Sequence, residues 1–173
     1  MNKPLVISII SRVKNTGKTT LIKGILPILK KKKYKIMTLK FSCYDFIVDY
    51  EDTDSYKHFN SGVNRTVLIG PSKTVTFEKT YKRQDFKDVI NQYNDVDIII
   101  AEGFRDINYP TIEVVRKEKG SKLCSKIKNL IAIVSDDKNM NFPVSVFGLD
   151  EYEKICKHIE ESYISKESSN IAR

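Results

Sequence analysis

The chain contains no tryptophan, only two histidines and only three cysteines. Cys43, Cys124 and Cys156 lie far apart and form no C-x-x-C pair. That spacing supplies neither a zinc site nor a disulfide framework. His58 and His158 stand singly on separate segments, so zinc has no ligand set. Scattered thiols, odd in number, fit a reducing, cytoplasmic setting. No apolar run approaches the ~20 residues that a membrane span requires. The N-terminal stretch has a short apolar segment but no small-residue cleavage site, so it does not read as a signal peptide. The 9 tyrosines and 8 phenylalanines fall at core-like spacing and build no stacking platform for bases. The Asn-Lys-x-Asp signature of guanine recognition is absent.

Positive charge, by contrast, is in excess: 30 Lys and Arg against 22 Asp and Glu, a formal net charge of +8. Part of it is the run Lys30-Lys31-Lys32-Lys33, placed where a first helix should end and where cations complement the helix dipole. The rest is diffuse. This pattern reads as a solvated basic surface suited to a small anionic ligand, not as a nucleic-acid interface.

The strongest positive signal is Val13-Lys14-Asn15-Thr16-Gly17-Lys18-Thr19-Thr20, directly after the apolar run Leu5-Val6-Ile7-Ser8-Ile9-Ile10. A strand, a tight turn with Gly-Lys-Thr-Thr and then a helix is the layout of a phosphate loop. Successive backbone N–H groups and the helix N-terminus make a cradle for phosphate. Lys18 is placed to reach the β- and γ-phosphates, and the Thr19 hydroxyl to ligate Mg²⁺. The first glycine of the usual G-x-x-x-x-G-K-[ST] pattern is replaced by Arg12. Arg12 must therefore find an allowed conformation or open the loop.

The remainder alternates strands with helices. Helices are expected over 19–32 (interrupted or kinked at Pro27), 54–60, 84–93 and 150–164. Strands are expected over 35–39, 66–69, 74–77, 96–101, 111–115, 130–134 and 144–147. The continuous apolar runs at 96–101 and 130–134 fit strands buried on both faces of a parallel sheet. The expected fold is α/β and P-loop NTPase-like: a mostly parallel sheet flanked by helices in a single domain over residues 1–164. Residues 165–173 are expected to form a disordered tail. No repeat, low-complexity tract or linker divides the chain.

A phosphate-loop enzyme needs a carboxylate at the end of a neighbouring buried strand, to serve Mg²⁺ or the attacking water. Glu102, after Asp97-Ile98-Ile99-Ile100-Ala101 and before Gly103, holds that place. Asp45, Asp49, Glu51, Asp52 and Asp54 crowd the loop after the second strand, where an open α/β sheet lines its ligand crevice. Asp49 and Asp54 are the candidates for the metal, and each is equally readable as part of a solvated loop or a helix cap. Lys40 ends the second strand and faces the same crevice. Arg105 and Arg116 are candidate phosphate contacts. Asp136, after a buried strand, is the candidate partner for the donors of a guanine base.

Taken in order, these blocks resemble the MobB family, the molybdopterin-guanine dinucleotide biosynthesis proteins B. The resemblance runs through the segment 13–22 with Pro27, Lys40, Asp49, Asp54-Ser55-Tyr56-Lys57-His58 with Gly62, Ala101-Glu102-Gly103-Phe104-Arg105 with Pro110, Ile112 and Glu113, then Ser135-Asp136-Asp137 and Pro143-Val144. It implies a GTP-binding protein with weak GTPase activity, a homodimer, that assists a nucleotidyltransferase in attaching GMP to molybdenum cofactor. The histidine-rich stretch of the family is Phe41-Ser42-Cys43-Tyr44 here. On this reading Val13 to Thr20, Lys40 and Asp136 bind GTP. Thr19, Asp49 and Glu102 serve Mg²⁺, and Lys18 and Glu102 act in hydrolysis. The alternatives are a P-loop NTPase or kinase acting on another small metabolite, and a nucleotide-gated, metallochaperone-like binding protein.

Overall fold

In the computed structural model the residues described are 3–120, 122–139 and 141–161. The elements are β1 (Leu5–Ile10), α1 (Lys18–Lys31), β2 (Ile36–Lys40), α2 (Asp54–Asn60), β3 (Arg65–Ile69), β4 (Thr74–Glu78), α3 (Phe86–Ile90), β5 (Ile98–Glu102), β6 (Thr111–Val115), β7 (Leu130–Ser135), β8 (Ser145–Phe147) and α4 (Tyr152–Ile159). They form two compact units. One contains the residues up to Phe41 together with those from Ile90 onward, and the other is Ser42–Val89.

The first unit is a six-stranded sheet in the order β2-β5-β1-β6-β7-β8, with every pairing parallel. This is the α/β class that the alternation implies. The uniform apolar runs explain the centre of the sheet, because a central parallel strand has no solvent face. Ile7, Ile9, Ile98, Ile100, Ile112 and Val134 are nearly or fully buried and pack with Leu21, Ile25 and Leu29 of α1 and with Ile155, Cys156 and Ile159 of α4. Each such side chain contributes roughly 1.5–3 kcal/mol by leaving water. Helices α1 and α4 meet at Gly24, where a Cβ would lie 2.4 Å from the Tyr152 ring. α1 runs unbroken through Pro27 to Lys31, forgoing the hydrogen bond that proline lacks. The buried Ile25 and Leu29 on either side anchor it.

The second unit joins α2 to the antiparallel hairpin β3–β4, whose turn is closed by Gly70 N–H donating to the Lys73 carbonyl at 2.9 Å. Thr53 caps α2 by accepting the Tyr56 N–H at 3.2 Å, as expected of a Thr before Asp54.

Several boundaries differ from expectation. α3 covers only Phe86–Ile90, and Ile90 is its one buried residue, so no apolar face sustains the helix to Tyr93. β5 begins at Ile98, and the Asp97 carboxylate just before it accepts the Lys35 N–H at 2.7 Å. α4 is assigned over Tyr152–Ile159, and the expected continuation over 162–164, like the expected tail at 165–173, lies outside the described residues. No helix among the described residues is long and apolar enough to cross a membrane.

Candidate nucleotide site

The phosphate loop links the C-terminal end of central β1 to the first turn of α1. Two residues make its turn, Asn15 at φ 57° and Gly17 at φ 103°. Both occupy left-handed space, which Gly adopts freely and Asn tolerates. Arg12 is not among the positive-φ residues. The glycine missing from the motif is therefore not needed for a left-handed turn, and an arginine is accommodated without strain.

Six consecutive carbonyls of the loop are bound. Arg105 Nη2 donates to the Ser11 and Arg12 oxygens at 2.8 and 2.9 Å. The Ser11 hydroxyl donates to the Val13 oxygen at 2.6 Å. Lys119 Nζ donates to the Lys14 and Asn15 oxygens at 3.2 and 2.9 Å, and Arg116 Nε donates to the Thr16 oxygen at 2.8 Å. Arg105 and Arg116, expected at phosphate, are thus placed on the loop's carbonyls. Lys119 was not legible as a site residue, since the sequence shows it only as one lysine of a Lys-Glu-Lys turn. The Thr16 hydroxyl is buried without a partner. It lines a cavity of about 10 Å³ beside Arg12, Glu113 and Lys119, room for one water at most.

The chemical groups converge at the loop's other end. Lys18 Nζ donates to Ser11 Oγ at 2.8 Å. Partial burial lowers the Lys18 pKa below its usual range, against the opposing pull of Glu102. Such an amine gains from an anionic partner. The Thr19 hydroxyl donates to Glu102 Oε1 at 3.1 Å across 83 positions of sequence. Lys40 Nζ approaches the same oxygen at 3.6 Å. The sheet register causes this meeting, because Glu102 is paired with Lys40 on β2 and with Ile9 on β1. Beyond it Gly103, at φ 87°, turns the chain away, with its N–H bonded to the Ile9 carbonyl at 3.0 Å. A hydroxyl and a carboxylate at hydrogen-bond distance are the hard oxygen donors that Mg²⁺ takes, so these residues fit the metal that a phosphate loop uses.

Asp136 stands at the end of β7. Its Oδ1 accepts the Lys117 N–H at 2.9 Å and its Oδ2 faces Arg116 at 3.4 Å. The Lys117 amide foremost, then Arg116, hold its pKa below the ordinary value. A depressed carboxylate contributes stability that is fully present above its unfolded pKa and is lost as pH falls through the lower folded value. Asp49 belongs to the Ser42–Val89 unit. There it accepts the Ser55 hydroxyl at 2.6 Å and the Tyr50 N–H at 2.9 Å, and the Ser55 bond in particular lowers its pKa. Glu113 is fully buried and accepts the N–H groups of Cys124 and Ser125 at 2.8 and 2.9 Å. Desolvation, with Glu113 beside it, pushes the Cys124 thiol up to about 12. All three cysteines are free.

Sheet order, loop and converging Thr19, Glu102 and Lys18 define an α/β protein of the P-loop NTPase-like class. Residues 6–136 match the family model described as MobB, molybdopterin guanine dinucleotide synthesis protein B, and the chain belongs to that family. It is 36% identical over 132 residues to a putative molybdopterin-guanine dinucleotide biosynthesis adapter protein of Methanocaldococcus jannaschii, an alignment covering 74% of this chain and 53% of the relative. The chain thus spans about half the length of that relative. It is 23% identical over 162 residues to the Haemophilus influenzae adapter protein, covering 92% of this chain and 90% of the relative. A crystal structure of molybdopterin-guanine biosynthesis protein B superposes with a TM-score of 0.70 at 26% identity, covering 91% of this chain and 99% of the other.

Proposed function

We propose that this chain binds GTP with Mg²⁺, hydrolyses it slowly, and serves as an adapter to the nucleotidyltransferase that attaches GMP to molybdenum cofactor. The observation that carries the reading is the meeting of the Thr19 hydroxyl and the Glu102 carboxylate at 3.1 Å, beside a loop whose Lys18 is partly desolvated. Backbone N–H groups from Val13 to Thr20, with Lys18, bind the phosphates. Thr19 and Glu102 hold the metal, which neutralises phosphate charge when bound. Glu102 also orients the hydrolytic water, and Lys40 keeps its carboxylate placed. Asp136 contacts the guanine base through lone pairs that its bonds to Lys117 and Arg116 leave free. Turnover is slow because no arginine finger or catalytic glutamine is identified. The adapter role is that for which the relatives from Methanocaldococcus jannaschii and Haemophilus influenzae are named. A cytoplasmic homodimer follows the family resemblance.

The test is a nucleotide-binding titration with and without Mg²⁺, a phosphate-release assay, and a pull-down from the native host. GTP binding with slow release and recovery of a molybdenum-cofactor nucleotidyltransferase supports the reading. Phosphate transfer to another metabolite, or tight binding without hydrolysis or a cofactor enzyme, refutes it in favour of a kinase or a nucleotide-gated binding protein.

A further inference from the structure

The loop is held from outside, and half of that hold comes from one short segment. Arg116 and Lys119 bind the Thr16, Lys14 and Asn15 carbonyls. Their segment opens a single 3₁₀ turn, Lys117–Lys119. Asp136 fixes the start of this turn through the Lys117 N–H and the Arg116 guanidinium. Asp136 thereby acts on the loop without touching it. No peptide bond among the described residues is cis, and in a planar trans unit the C=O and the following N–H point in opposite directions. Three carbonyls fixed outward therefore turn the Asn15, Thr16 and Gly17 amides to the opposite side, where phosphate binds. Asn15 is one of two non-glycine residues with positive φ among the described residues, a conformation that persists only when the surroundings hold it.

We propose that Arg116 and Lys119, backed by Asp136, are positioning residues for the phosphate loop, so that Asp136 sets phosphate affinity as well as contacting the base. This rests on the nucleotide-site reading above. A base contact alone predicts that Asp136 is indifferent to a ligand without a base. Simple electrostatics predicts that removing its negative charge tightens an anion. Positioning predicts the reverse of both.

The probe is inorganic tripolyphosphate, titrated into the full chain with Mg²⁺. Asp136→Ala should weaken it about 3–10-fold, the loss of one or two hydrogen bonds. Lys119→Ala should weaken it similarly, and Lys119→Arg, which keeps the donors, should recover most of the loss. Thermal melts establish that each variant is folded. Amide hydrogen exchange over residues 12–17 of the ligand-free protein is the second readout. It should accelerate in Asp136→Ala while exchange in β1 and β5 stays unchanged. Unchanged or tighter tripolyphosphate binding by Asp136→Ala, or unchanged loop exchange, overturns the inference. Failure of the unmodified chain to bind any triphosphate overturns the nucleotide-site reading instead.

Discussion

The sheet unit and the Ser42–Val89 unit solve opposite problems with similar residues. In the sheet unit β1, β6 and β7 are buried along their whole length; the candidate residues Lys40 and Glu102 end the strands β2 and β5, and Lys18 and Thr19 open α1. In the Ser42–Val89 unit no residue is fully buried, although it carries Phe46, Ile47, Val48 and Ile69, all well over half exposed. Its two-stranded hairpin is a type that is marginal alone. A cavity of about 830 Å³ lies within this unit, lined in part by Phe46, Tyr56, Phe59 and Phe77. The contrast shows that apolar content does not make a core. Continuous runs between parallel neighbours do, and alternating strands need a covering layer.

The largest expected effect breaks the stronger side. Ile100→Ala removes a fully buried side chain and should destabilise the fold by about 2–5 kcal/mol, measured by urea denaturation. Next is Lys18→Ala. It should leave a folded protein and weaken triphosphate binding by about 10–150-fold, as a lost charge-assisted contact of ~1.5–3 kcal/mol implies. Unchanged affinity would deny the loop its role. Glu102→Gln should spare binding and slow hydrolysis by at least ~10-fold, the signature of a group acting mainly in the transition state. Hydrolysis equal to the unmodified chain would make Glu102 structural. The smallest effect belongs to the other unit. Ile69→Ser, at a side chain 79% exposed, should change stability by less than about 0.5 kcal/mol. A loss comparable to that of Ile100→Ala would mean that Ile69 is covered in solution, which sedimentation at several concentrations would register as dissociation of an oligomer.

The sheet unit was legible because its signals are long and redundant. The runs over 96–101 and 130–134 marked buried strands, and the Gly-Lys-Thr-Thr turn fixed where the loop lies. The convergence of Glu102 on Thr19 followed once Glu102 was placed at a strand end and Thr19 at the start of the helix after the loop. The separate character of residues 42–89 was not legible, since no Pro-, Gly- or Ser-rich linker marks either boundary. The cationic grip on the loop was also hidden. Arg105, Arg116 and Lys119 lie far from the loop in sequence, and their targets are backbone carbonyls, which leave no trace in side-chain spacing. The absent first glycine looked like a defect from the motif alone, and only the backbone dihedrals showed that the turn is made at Asn15 and Gly17.

The most direct test of the account is a competition titration of GTP against ATP on the full chain, run with and without Mg²⁺. Both should bind through the loop, more strongly with Mg²⁺, with GTP favoured by about 10-fold, a difference of about 1.4 kcal/mol that one base contact supplies. Binding that is indifferent to Mg²⁺, or no triphosphate binding at all, would contradict the assignment of Thr19 and Glu102 as the centre of a nucleotide site.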